Sequence, residues 1–128
     1  MTYYFNKIVN AGFDETIDRV TGDLKKEGFG ILSDIDVKGA LKKKIDVDFR
    51  KYRILGACNP PFAYKALQAE DKIGTMLPCN VIVQELDDGR VEVAAIDPAA
   101  SMQAVDNDDL SGIAGQIREM LKRVIDNL

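Results

Sequence analysis

A chain of 128 residues, 46% hydrophobic and 30% charged, has the size of one domain and can bury about two thirds of its unfolded surface without a metal or disulfide scaffold. Its net charge of −4 argues against a general nucleic-acid binder, which needs surplus Lys and Arg to neutralise phosphates. The absence of histidine excludes Ser-His-Asp and Cys-His machinery, removes most zinc sites, and leaves any catalysis to carboxylates, lysine, tyrosine or thiolate.

Tyr3 to Val9 is rich in aromatic and β-branched residues and ends at Asn10-Ala11-Gly12, which predicts a first strand. Phe13, Ile17, Val20 and Leu24 follow at helical spacing. Acids in the first turns, Lys25 and Lys26 in the last, and Gly28 as a stop suit a helix. Phe29 to Ile35 reads as a second strand leading to Asp36 as an N-cap, and Val37, Ala40, Leu41 and Ile45 mark one face of a short helix. Phe49 to Ala57 reads as a central strand in which Tyr52, Ile54, Gly56 and Cys58 share a face by alternation.

Asn59 is placed to cap the next helix, and Pro60 fits its first position, where no backbone donor is required. That helix carries Phe62, Ala66 and Ala69 and ends near Glu70 or Asp71. After a connection over Asp71 to Thr75, Leu77 to Leu86 is a strand joined by Asp87-Asp88-Gly89 to a partner over Val91 to Ile96. Pro98 to Ala104 is a short helix or turn. From Leu110 to Leu128 an amphipathic helix must lie against something. The sum is one α+β domain over residues 1–128, with a mainly antiparallel sheet and helices packed on one face, in the order β-α-β-α-β-α-β-β-α.

The opening residues lack a basic segment followed by an apolar run, and nothing approaches the roughly 18 unbroken apolar residues of a membrane span. A cytoplasmic protein with reduced cysteines is the expectation.

The only two cysteines each precede an asparagine beside a proline: Tyr52-Arg53-Ile54-Leu55-Gly56-Ala57-Cys58-Asn59-Pro60-Pro61 and Leu77-Pro78-Cys79-Asn80. Antiparallel neighbours would bring the end of one strand beside the start of the other, and with it the two thiols within disulfide reach. Cys58, next to a helix start, would then be the more reactive thiol. Equally, a free cysteine often fills a strand position as a small hydrophobe. Two thiolates without histidine make half of a zinc site, so no metal is expected. Asn80 needs partners if buried, and Tyr52 could supply a hydroxyl nearby.

Together with Asp36-Val37-Lys38 and Ala95-Ile96-Asp97-Pro98, these two segments resemble the family known as domain of unknown function 302. The resemblance implies a small α+β protein that forms a homodimer, with no assigned activity or cofactor.

Charge is uneven. Lys38 to Arg53 holds seven basic and two acidic residues, whereas Glu85 to Asp109 holds eight acids and one arginine. A solvated face accounts for both. The basic stretch could otherwise attract a small anionic ligand or the acidic stretch of a second subunit. The leading expectation is a self-associating protein that binds a small ligand or a protein partner through Cys58, Asn59, Cys79, Asn80 and Tyr52. The alternative is a thiol-dependent redox protein in which Cys58 attacks and Cys79 resolves.

Overall fold

The computed structural model describes residues 2–128. Five strands form one sheet: β1 (Tyr4–Val9), β2 (Gly30–Asp36), β3 (Tyr52–Cys58), β4 (Cys79–Glu85) and β5 (Val91–Ile96). Their spatial order is β1-β5-β4-β3-β2, and every neighbouring pair is antiparallel. The helices are α1 (Phe13–Lys26), α2 (Val37–Ile45), α3 (Pro60–Ala69), α4 (Pro98–Ser101) and α5 (Asp108–Asp126), with a 3-10 helix over Asp71–Met76. The α+β class and the strand–helix order match the sequence reading; the 3-10 helix occupies what read as a connection.

Local chemistry explains the boundaries. Gly28 adopts φ 87° directly after α1, where the Gly28 and Phe29 amides return to Lys25 and Leu24 carbonyls at 3.0 and 2.9 Å. The Asp36 carboxylate accepts from Gly39 N at 3.1 Å and caps α2 as expected. Gly89, at φ 86°, closes the β4–β5 hairpin. The Leu77–Pro78 bond ahead of β4 is cis.

The core lies on one face of the sheet. Leu55 and Ala57 of β3, Cys79, Val81 and Val83 of β4, and Val91, Val93 and Ala95 of β5 alternate onto that face and are buried. Val20 and Leu24 of α1 and Leu121, Val124 and Ile125 of α5 cover them. A smaller cluster of Ala66, Ile73, Met102, Leu110 and Ala114 holds α3, the 3-10 helix and α5 together.

Helix α2 forms where its sequence places it, with Val37, Ala40 and Leu41 half-buried along one face, but none of its residues is fully buried and Ile45 at its end is 63% exposed. Its main contacts are with β2 and β3 at one side of the sheet, where no second layer meets it. Across β1, β5 and β4 the other sheet face carries no helical layer. Tyr4, Ile8 and Asn80 are exposed there, while Ile82, Ala94 and Ile96 are half-buried.

Candidate functional site

The register between β3 and β4 decides where the two Cys-Asn segments go. Ala57 stands opposite Cys79, and Gly56 opposite Asn80. Directly opposed residues share a face, so Cys79 joins Ala57 in the core while Asn80 joins Gly56, Ile54 and Tyr52 on the open side. Cys58 is one residue past Ala57, at the end of β3 and beyond the last β3–β4 pair. The strands are antiparallel neighbours, as the thiol argument required, but the sulfurs are not at disulfide distance and both cysteines are free. The expected close cysteine pair is therefore corrected: Cys58 and Cys79 border one small cavity, but their sulfurs are not within disulfide reach.

Burial pushes the Cys79 thiol up to about 11, with the nearby Cys58 adding to the shift. At neutral pH it is an un-ionised thiol in an apolar wall. A cavity of about 20 Å³ touches Cys58, Asn59 and Cys79 between Phe29, Ala66, Met102 and Ile117. That is room for about one water with almost no polar lining, so the cavity is dry.

Asn59 is buried at the N-cap position of α3, yet its side chain does not cap that helix. Residue 61, at the second helical position, is proline, so one of the two amides a cap would serve is missing. The Asn59 amide instead donates to Glu27 O at 3.2 Å and approaches Met120 Sδ at 3.7 Å. Glu27 in turn receives both Nε and Nη2 of Arg123, at 3.1 and 2.8 Å. Asn59 thus joins the α1–β2 turn, the start of α3 and α5.

Tyr52 and Asn80 belong to a different place. They line an open groove of about 370 Å³ on the uncovered sheet face, with Tyr3, Tyr4, Ile82, Gln84, Glu92, Ala94, Ala95 and Ile96. Isoleucine and alanine make the floor. Tyr3 and Tyr4 meet edge to face at 5.1 Å on the β1 side. A polar relay closes one end: Asn6 Nδ2 donates to Glu92 Oε2 at 2.9 Å, Gln84 Nε2 to Glu92 Oε1 at 2.8 Å, and Arg50 Nε to Gln84 Oε1 at 2.8 Å. Sequence reading missed Gln84 and Glu92. Their signal was parity: Gln84 alternates with Val83 on the same side as Asn80, and its cross-strand partner is Glu92.

Four of the seven basic side chains in the stretch have polar partners, two of them within it. Lys38 Nζ donates to Phe49 O at 2.9 Å, Lys42 meets Asp46 and Asp48 at 2.9 and 3.4 Å, and Arg53 pairs with Asp34. Arg50 stands just beyond the groove, in an adjoining hollow that shares Gln84 with it and also touches Leu86, Asp87, Asp88 and Arg90; its guanidinium is 4.4 Å from the Phe49 ring and 5.6 Å from that of Tyr52. Among the described residues no group of three or more Cys, Asp and Glu is placed to hold a metal ion, and no helix is long and apolar enough to cross a membrane.

Residues 5–128 match the model of the family described as domain of unknown function DUF302. A crystal structure of an uncharacterized conserved DUF302 protein from Bacillus stearothermophilus superposes with a TM-score of 0.91 at 30% identity, covering 98% of each chain. No curated protein matches the sequence.

Proposed function

The chain belongs to the DUF302 family, and from that premise we propose that it is a small binding protein whose site is the groove on the uncovered sheet face. The observation that supports this reading is an apolar floor, framed by tyrosines, in which the charged and amide groups of the rim already satisfy one another. Glu92 accepts on both oxygens from Asn6 and Gln84, and Gln84 in turn accepts from Arg50, so the polar groups of the rim are held in place around the floor. Asn80 is left exposed in mid-groove as a donor and acceptor for a ligand. A volume of about 370 Å³ falls within the range of small-molecule sites.

Self-association belongs to the same proposal. A second copy stacked face to face would cover the exposed Tyr4 and Ile8 and turn the trough into an enclosed chamber. Five strands of about six residues span roughly 500 Å² in plan, on the order of the roughly 800 Å² of accessible surface per partner in a standard interface.

Nile red, a neutral apolar dye, tests the site. Its fluorescence is expected to rise with wild-type protein and to stay flat with Ile82→Glu, whose fold is checked by circular dichroism. An equal rise with the folded variant refutes the groove. Light scattering tests the assembly, and a monomer mass at tens of micromolar removes that half of the proposal.

A further inference from the structure

The groove does not stop at Asn80 and Ile96. These two residues also line a second hollow of about 270 Å³, which continues toward Met76, Leu77 and the buried Met102. From Gln84 to Asn80 the first compartment follows β4 for roughly 13 Å at strand rise. The two compartments adjoin at Asn80 and Ile96, which line both. Methionines shape themselves to flexible, unbranched partners, and they line only the far compartment.

Polarity singles out the other end. Glu92 accepts two hydrogen bonds, one on each oxygen, and Gln84 Oε1 is taken by Arg50 Nε. Arg50 enters no ion pair among the described residues, and stacking on Phe49 and Tyr52 holds its guanidinium at the rim with Nη donors to spare. Asp87, Asp88 and Arg90 share with Arg50 the hollow just beyond the groove, and Asp88 is taken by Arg90, so an anionic head finds the Arg50 fork as a donor while Glu92 already accepts on both oxygens.

We propose that the adjoining compartments take an amphipathic anion with a flexible apolar chain, in its simplest form a medium-chain carboxylate. Its head sits on Arg50, and its tail passes Asn80 and Ile96 into the methionine-lined hollow. The proposal rests on the groove being a binding site and adds the class of its ligand.

The test uses isotope-labelled full-length protein titrated with decanoate, hexanoate and decyltrimethylammonium, all below micelle-forming concentrations. Decanoate is expected to shift amides in both compartments and to bind about tenfold or more tightly than decyltrimethylammonium. Arg50→Gln, at an exposed position, should erase that preference. Met76→Trp should reduce decanoate affinity to the level of hexanoate by blocking the hollow. Equal affinity for the two head groups, an unchanged preference in Arg50→Gln, or an unchanged chain-length preference in Met76→Trp overturns the proposal. Nile red binding without decanoate binding overturns it alone; loss of both also removes the reading beneath it.

Discussion

Raising the pH from 8 to 10 is predicted to destabilise the fold through one buried thiol. Cys79 ionises near 11 in the folded chain against an ordinary 9.0. Below pH 9 both states keep the proton and this contribution to stability is fully present. Between 9 and 11 the unfolded chain ionises while the folded chain does not, so stability falls; above 11 the loss levels off. At pH 10 the loss is about 1.4 kcal/mol, rising toward about 2.7 kcal/mol over the full shift. In a domain of this size the pH 10 loss corresponds to about 4–8 °C in melting temperature. Tyrosines and lysines titrate in the same range, so the quantity to follow is the stability difference between wild type and Cys79→Ala. Urea unfolding with reductant at pH 8, 9 and 10 measures it. The variant's deficit should shrink by about 1.4 kcal/mol over that span. A deficit that does not change with pH refutes the argument that burial controls this thiol.

Iodoacetamide at neutral pH should add one label, on Cys58, with Cys79 labelled only after unfolding; intact-mass and peptide analysis reads the outcome. Asn59→Ala should cost about 1–3 kcal/mol in a denaturant midpoint, because it leaves the Glu27 carbonyl without its donor inside the joint. Gly56→Ala should cost a similar 1–3 kcal/mol, since a Cβ there would stand 2.8 Å from Pro78 Cγ and collide with Ser33 Oγ. Adding Ser33→Gly should recover part of that loss. The hydrogen bond from Arg53 holds the Asp34 carboxyl below the ordinary carboxylate range. Arg53→Gln should raise its titration midpoint by NMR. The stability this pair adds above the carboxylate range, lost as pH falls through the folded value, should stay below about 1 kcal/mol because the pair is about a third exposed.

Most elements were legible because their periodicity and punctuation agree. Helix α1 runs from an acidic first turn to Gly28, the β4–β5 hairpin turns at Asp87-Asp88-Gly89, and the apolar stripe after Leu110 became α5. The shallow packing of α2 was not legible, because the helical spacing of Val37, Ala40, Leu41 and Ile45 does not say how deep the surface beneath them lies, and here it leaves the first three half-buried and Ile45 exposed. At the site, the sequence brought the correct strand ends together but could not say on which face each side chain emerges. That depends on Ala57 facing Cys79, and a shift of one residue would have exchanged Cys79 for Asn80. The same uncertainty hid Gln84 and Glu92, whose importance rests on which parity of β4 and β5 is left uncovered. Asn59 was correctly placed at the start of α3, but its partners lie in α1 and α5, where no local pattern points.

The strand order bears on how the chain comes to be built. Strands β2, β3, β4 and β5 are laid down side by side in the order of synthesis, each turning back on the one before. The first strand does not join them until the end, since Tyr4 pairs with Ile96. A ribosome must therefore release nearly the whole four-stranded meander before β1 has anything to pair with. Until β1 docks, the outer edge of β5 stands open, and any other extended segment can compete for it. The N-terminal strand is thus the late-arriving lock of the sheet, and its aromatic-rich sequence is what must outbid those rivals.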